Sequence, residues 1–401
     1  MGNHTSEHIL VLFNPEHDLA LANGDPHYMP SAAVRQMMTD LAVLPAWYAP
    51  AGSRIVAPSA YNLAFLEEMR EFFPDLPRVC TPPEVATGCW QDVQPWGWDA
   101  VVKRRLLLLG VDPEVLPDTD RLRLLREMSH RWQAVRLLAR LTEKESAWCG
   151  ESFFFTEEQQ LREYVEGHPA TVLKAPLSGS GKGLNWCKGA FTPHIRQWCF
   201  HVIRQQGGVV AEPVYQKETD FAMEFSSHGN GQVKFCGYSL FCTNAGGAYE
   251  GNELLSDTAI EQRLSGYLSA EALRKVRESL EQELSLLYGK LYTGYLGVDM
   301  MICRFSTAPV YRLHPCVEIN LRMNMGLVAR RIYDNYIHPC SAGLFRVDYY
   351  PTAGEAGEAH EKMKQEQPAT VSAGRILSGY IPLVPVTPHS QYRAWITVRP
   401  T

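Results

Sequence analysis

The chain has 401 residues with 38 basic and 44 acidic side chains, a net charge of −6. That length suits two or three domains, and the charge gives no reason to expect nucleic acid as a partner. The 45% hydrophobic fraction supports a sizeable core, yet no run approaches the roughly 18 apolar residues that span a bilayer.

Residues 1–7 lack the basic segment of a secretory signal, and Gly2 fits only a loose myristoylation pattern that short sequences match by chance. The 10 cysteines are scattered without a C-x-x-C pair, so neither a zinc ribbon nor a thioredoxin-like site is indicated. They read as reduced thiols of a cytoplasmic protein.

In chain order, His8 to Phe13 is a first strand ending in the polar cluster Asn14, Glu16, His17 and Asp18. Such a cluster either binds substrate beyond the strand's carboxyl end or is a hydrogen-bonded turn leading into the next helix. Ser53 to Pro58 reads as a second strand, with helices over 60–73 and 121–140. These elements predict an α/β domain over residues 1–125. Apolar positions Trp132, Val135, Leu138 and Leu141 form one face of a helix over 129–141. Helices are also expected over 157–167, with Thr156 as its cap, and over 269–288, capped by Ser269. Residues 126–206 and 207–347 are expected as two central subdomains, and 348–401 as a C-terminal extension. Within it, 352–369 reads as an exposed connection, followed by strands near 375–384 and 392–398.

Four motifs carry chemistry. The run Thr171 to Lys174 ends an apolar strand in a lysine, which can neutralise phosphate as a point charge. Ser178, Gly179, Ser180, Gly181, Lys182 and Gly183 follow as a loop whose small side chains let backbone N–H groups approach anionic oxygens. It is not a Walker A loop, because Pro176 and Gly183 stand where that motif needs Gly and Ser or Thr. Next, an apolar strand breaks at Glu212-Pro213. Pro213 lacks a donor, which leaves the Glu212 carbonyl and the Val214 N–H for an adenine edge and Asp220 for a ribose hydroxyl. Last come Asp299 in one short apolar run and Glu318-Ile319-Asn320-Leu321-Arg322 in another, joined by the turn-rich stretch 304–315. Alternation puts Glu318, Asn320 and Arg322 on one strand face. Asp299, Glu318 and Asn320 offer the hard oxygens that Mg²⁺ takes.

The order of these four elements, over residues 129–331, resembles the ATP-grasp superfamily. The resemblance implies an α/β (α+β) fold with an N-terminal α/β domain ahead of the nucleotide site. It implies that Lys174 contacts ATP phosphates, that residues 178–183 close over them, that Glu212 and Val214 flank adenine with Asp220 on ribose, and that Asp299, Glu318 and Asn320 hold Mg²⁺. The Glu-x-Asn-x-Arg pattern is similar to the carboxylate-activating members, where Arg322 would face the reacting phosphoryl or acyl group. The family usually has a lysine where this chain offers Arg131, which keeps the charge but not the geometry.

The expected activity is therefore an ATP- and Mg²⁺-dependent ligase that activates a small-molecule or peptide carboxylate and joins it to an amine. A small-molecule kinase on the same fold and a non-catalytic nucleotide-binding protein are the rival readings. Nucleic acid and membrane are not expected as partners, and self-association is left open. The polar loop 243–253, with Tyr249, Glu250 and Asn252, is expected on the acceptor side. Arg330 and Arg331 read either as ligands of a substrate carboxylate or as charges on a helix surface.

Overall fold

The structure, a computed structural model, describes residues 6–179, 183–243 and 249–401. Strands Ile9–Leu12, Arg54–Val56, Arg78–Cys80 and Asp92–Pro95 form a parallel sheet in which Ile9–Leu12 is central. The period of two along the first strand sends Leu10 and Leu12 into one core, with Val93, Val102 and Leu106. It sends Val11 and Phe13 into another, with Trp47, Ile55 and Phe345. Helix Ala60–Phe72 lies where the sequence predicts it.

The helix expected over 121–140 is two helices, Thr119–Met128 and Trp132–Lys144. The break has a local cause. The Ser129 hydroxyl donates to the Leu125 carbonyl at 2.8 Å, and the Arg131 N–H leaves the helix to donate to the Pro176 carbonyl at 2.9 Å. Arg131 is thereby drawn to the chain just after the Lys174 strand.

A small antiparallel sheet follows, in the order Phe153–Phe155, Val209–Pro213, Thr171–Lys174, Leu184–Cys187. One face packs Leu173 and Ala211 against Leu161 and Val202 of two helices. The opposite face presents Val172, Lys174 and Glu212. Val209–Pro213, which lies beyond the subdomain boundary expected at 206/207, belongs to this sheet.

The central antiparallel sheet runs Val233–Ser239, Lys217–His228, Thr293–Arg304, Tyr311–Asn320. Phe221, Met223, Phe225, Val298 and Met300 pack against helix Ala270–Tyr288, capped as expected by Ser269. Alternation leaves Ala222, Glu224 and Asp299 on the other face. The connecting turn is shorter than expected, since the strands extend to Arg304 and resume at Tyr311.

The fourth sheet is antiparallel and joins Phe241–Thr243, Tyr249–Leu254, Ser341–Tyr349, Tyr392–Pro400, Arg375–Pro382 and Thr370–Ser372. The boundary expected at 347/348 falls inside one of its strands. Residues 348–401 are no appendage, because Ile376, Ile381 and Ile396 share a core with Val11 and Trp47 of the N-terminal sheet. The expected connection 352–369 contains helix Glu355–Glu366. Its Ala, Glu, Lys, Met and Gln residues are good helix formers, and a largely exposed helix shows little apolar periodicity. No helix among the described residues is long and apolar enough to cross a membrane.

Candidate active site

Two clefts flank the edge of the central sheet where Asp299 and Glu318 stand. Strand pairing sets Asp299 opposite Glu318 and Gly297 opposite Asn320, so the carboxylates are cross-strand neighbours. The first cleft, about 440 Å³, lies between the small sheet and the central one. It is lined by Arg131, Lys174, Ser178, Gly179, Glu212, Val214, Asp220, Asp299 and Glu318, with Trp186, Tyr215 and Met301 among its apolar walls. The second, about 380 Å³, shares Gly179, Asp299 and Glu318 and adds Asp18, Glu224, Asn320, Arg322 and Asn324. The residues predicted for nucleotide, metal and the reacting group are thus gathered at one place, apart from Ser180, Gly181 and Lys182, which lie outside the described residues.

Charges in the first cleft are paired. Lys174 and Glu212 point the same way from adjacent strands and meet at 2.5 Å, both side chains almost wholly buried. Burial, the largest single influence, would raise the Glu212 carboxyl, but Lys174, His314 and Ser152 together hold the group below its ordinary range. Ser152 also donates to Glu212, at 2.9 Å. Arg131, held at its helix entrance, donates to Glu318 at 2.8 Å, so it faces the same cleft as Lys174. Asp220 accepts from Lys217 and from the Thr243 hydroxyl. The loop after Lys174 is closed at its base by the Ala175 N–H donating to the Gly183 carbonyl at 2.8 Å.

One expectation is corrected here. The Val214 N–H donates to the Ala170 carbonyl at 3.1 Å, so it is not free for an adenine edge. Thr171 pairs with Pro213, and the ladder simply continues one residue further. Val214 still lines the cleft with its side chain.

Asp299 lacks a cation in contact among the described residues. Burial, and then the neighbouring Glu318, push its carboxyl up to about 7. Asn320 donates its amide to Asp299 at 3.1 Å. Among the described residues no three His, Cys, Asp or Glu side chains converge as a metal-binding group. The donor set remains two carboxylates and one amide, whose oxygen and nitrogen positions can be exchanged by rotation about one bond. Two close carboxylates, one with a raised pKa, fit a hard divalent cation that would relieve their repulsion.

Arg322 lies on the other side of this edge. Its Nε and Nη2 donate to the two oxygens of Asp18 at 2.8 and 2.7 Å, and its Nη1 donates to the Met323 carbonyl at 3.0 Å. The bidentate pair fixes the guanidinium plane. It holds the Asp18 carboxyl low despite burial. Asp18 also abuts the glycine loop, since a Cβ on Gly179 would collide with its carboxylate.

The N-terminal cluster divides. Asp18 alone reaches the second cleft. Asn14 donates to the Gly97 carbonyl at 2.8 Å, and His17 meets Asp99 at 2.9 Å. Asp99 in turn caps helix Ala100–Leu108 through the Val102 N–H at 2.8 Å. Glu16 is buried 3.6 Å from Arg105, and burial raises its carboxyl. None of these three lines either cleft. Arg330 is bound by Asp257 and Asp334, and Arg331 donates to the Tyr295 hydroxyl at 2.6 Å; neither lines either cleft. Tyr249 and Asn252 line the second cleft, whereas Glu250 is exposed away from it.

Glu224 is the functional candidate that motif reading missed. It is 1% exposed yet lines the second cleft, and burial pushes its carboxyl up to about 8. The available signal was a lone carboxylate in the apolar run Phe221 to Phe225. His314 is a second surprise: it is wholly buried, with no hydrogen-bond partner for either ring nitrogen among the described residues, and burial lowers it to about 4, so it is neutral near pH 7.

No protein-family profile and no curated protein sequence matches the chain. Solved structures do. The biotin carboxylase domain of Hydrogenobacter thermophilus 2-oxoglutarate carboxylase, in complex with MgADP, ADP and bicarbonate, superposes with a TM-score of 0.51 at 9% identity, over 98% of this chain and 86% of that one. N5-carboxyaminoimidazole ribonucleotide synthetase from Thermus thermophilus superposes with a TM-score of 0.50 at 12% identity, over 98% of this chain and 93% of that one. The chain has the ATP-grasp fold.

Proposed function

We propose that the chain is an ATP- and Mg²⁺-dependent ligase that activates a carboxylate as an acyl-phosphate and joins it to an amine. The observation that carries this reading is the shared edge: Asp299 and Glu318 line both clefts at once. A nucleotide in the first cleft and an acceptor in the second would meet at the same two carboxylates. The biotin carboxylase domain of the same fold binds MgADP and bicarbonate, and both nucleotide and hard cation suit the residues here.

In this reading Lys174 and Arg131 face the nucleotide phosphates, and Ser178 and Gly179 begin the loop that covers them. Glu212 tethers Lys174, so the ammonium keeps its place before nucleotide arrives. Met301 and Trp186 supply apolar wall for the base. Asp299, Glu318 and Asn320 would hold Mg²⁺, which supplies charge neutralisation on phosphate oxygens. Arg322, oriented by Asp18, faces the second cleft and neutralises charge developing on the transferring group. No side chain is needed as a covalent nucleophile, because positioning and electrostatics carry phosphoryl transfer.

The test is an ADP-release screen over amino acids, peptides and small carboxylates with and without amines, with product masses read afterwards. ADP formation that requires both a carboxylate and an amine, and a product lighter than their sum by one water, is the expected result. ADP formation with a phosphorylated hydroxyl product would replace the ligase by a kinase.

A further inference from the structure

The second cleft treats its charges unequally. Arg322 is its only cation among the described residues, and Asp18 already binds it through two hydrogen bonds. Asp348 is satisfied by Arg393 at 3.1 Å and by the Trp395 indole at 2.6 Å. Asp299 and Glu318 belong to the edge assigned to metal. Glu224 remains, with no cation in contact among the described residues.

Its setting is built rather than incidental. Glu224 Oε2 accepts from Asn324 Nδ2 at 2.8 Å. Asn324 cannot rotate to present its oxygen there, because Oδ1 accepts from the Leu327 N–H at 2.9 Å and caps helix Met325–Tyr336. The other carboxyl oxygen, Oε1, has no donor among the described residues. Gly297 and Gly326 leave the room it occupies, since a Cβ on either would collide with the carboxyl group. Beside it, the Ser239 hydroxyl oxygen accepts from Asn252 Nδ2 at 2.6 Å, and Asn252 accepts from the Tyr249 hydroxyl at 2.5 Å. A buried carboxyl held by an uncharged donor on one side and open on the other is incomplete. A ligand cation completes it.

We propose that Glu224 is the subsite for the acceptor amine, bound as its ammonium ion and passing one proton to the Glu224 carboxylate before the free amine attacks, and that the acceptor is a primary amine carried on an apolar or aromatic body. The body would lie against Trp96, Tyr349 and Tyr392, which line the same cleft and favour a nearby cation as well as apolar contact. The raised pKa of Glu224 agrees, because it records how poorly the empty cleft supports the negative charge. This deepens the ligase reading and rests on it.

The experiment compares three probes of matched shape on the full chain by calorimetry: 2-phenylethylamine, 2-phenylethanol and 3-phenylpropionate. MgATP affinity is measured on the same samples. The expected result is at least about tenfold tighter binding of the amine than of the alcohol, the worth of one hydrogen bond to a charged group. Glu224→Gln should erase that preference and leave MgATP affinity unchanged. Preference for the carboxylate, absence of amine binding at millimolar concentration, or a cation preference that survives Glu224→Gln each overturns the assignment. If Glu224→Gln does not fold, Glu224→Asp draws the charge back by one methylene and must weaken amine binding; unchanged binding overturns the proposal. Loss of MgATP binding in the wild-type chain would instead defeat the ligase reading itself.

Discussion

The two clefts share the Asp299–Glu318 edge and differ in the rest of their charge. In the first, every described cation that lines the wall has an acidic partner: Lys174 with Glu212, Arg131 with Glu318, Lys217 with Asp220. In the second, Arg322 is spoken for and Glu224 is not. A cleft that must hold a fixed polyphosphate can keep its cations in place with internal carboxylates. A cleft that must admit an acceptor can leave one charge for the ligand to complete. The contrast teaches where a substitution should cost binding and stability together, and where it should cost selectivity alone.

The largest effect should come from Lys174→Ala. Lost contact with phosphate should lower kcat/KM for ATP by about a thousandfold, the range of one strong, preorganised electrostatic contact. The variant also leaves Glu212 buried without its cation, which costs about 3–5 kcal/mol. The double variant Lys174→Met with Glu212→Gln should regain much of that stability without regaining ATP affinity. Chemical denaturation and calorimetry separate the two. A double variant as unstable as Lys174→Ala would break the idea of a charge-balanced wall.

Arg322→Ala should lower kcat by about a hundredfold with MgATP affinity nearly unchanged, since its guanidinium faces the second cleft. Asp18→Asn should lower kcat less, because the arginine survives but loses its bidentate orientation. Should Arg322→Ala abolish ATP binding, the residue belongs to the first cleft and the division fails. Asp299→Asn and Glu318→Gln should each cost at least about tenfold in turnover through weaker hold on the cation. Raised Mg²⁺ should recover part of the loss in Asp299→Asn. It should recover less in Glu318→Gln, which also strands Arg131.

The contrast between the clefts also explains what could be read without a structure. The first cleft was legible because each element is local: a lysine closing an apolar run, a glycine loop, an acidic residue at a proline break, and Glu318 in an alternating run. Two acidic runs joined by a turn-rich stretch predicted that Asp299 and Glu318 could meet. The Val214 N–H was misread because its partner, Ala170, is set by strand register across the small sheet. Asp18 could not be separated from Asn14, Glu16 and His17 without Asp99, which lies far along the chain and hydrogen-bonds to Asn14 at 3.3 Å and to His17 at 2.9 Å. Glu224 was hidden for the same reason. Its strand shows an alternating pattern, but which face lines a cleft depends on Asn324, Ser239 and Gly297 arriving from three other segments.

A smaller effect is expected where the clefts meet the loop. Gly179 abuts Asp18, and a Cβ there would collide with the carboxylate. Gly179→Ala should therefore push the loop from its seat, raise KM for ATP several-fold and raise ADP formation relative to product, because an imperfectly closed loop admits water. Parallel measurement of ADP and product tests this. A unit ratio of ADP to product in the variant would show that the loop can close without touching Asp18.

The smallest effect tests Glu224 through stability rather than binding. Its carboxyl stands at about 8 in the folded chain against an ordinary 4.5. The groups facing it are the Asn324 amide from the helix entrance, Ser239 from the adjoining strand, and Asp299 and Arg322 at longer range. A raised folded value means that the unfolded chain gives up this proton first. The group's favourable contribution to folding is therefore complete below about 4.5 and is lost as pH rises through about 8. Glu224→Gln has no such proton to lose. Relative to that variant, the wild-type thermal midpoint should fall between pH 5 and 8.5 by about 5 °C, from about 1.4 kcal/mol for each pH unit between the two values and about 1 °C per kcal/mol in a chain of this length. A saturating cationic amine should cancel most of the fall, because an ammonium against the ionised carboxyl replaces the missing partner. A wild-type midpoint that tracks the variant across the whole range would mean that Glu224 already has its charge balanced, and the two clefts would then not differ in plan.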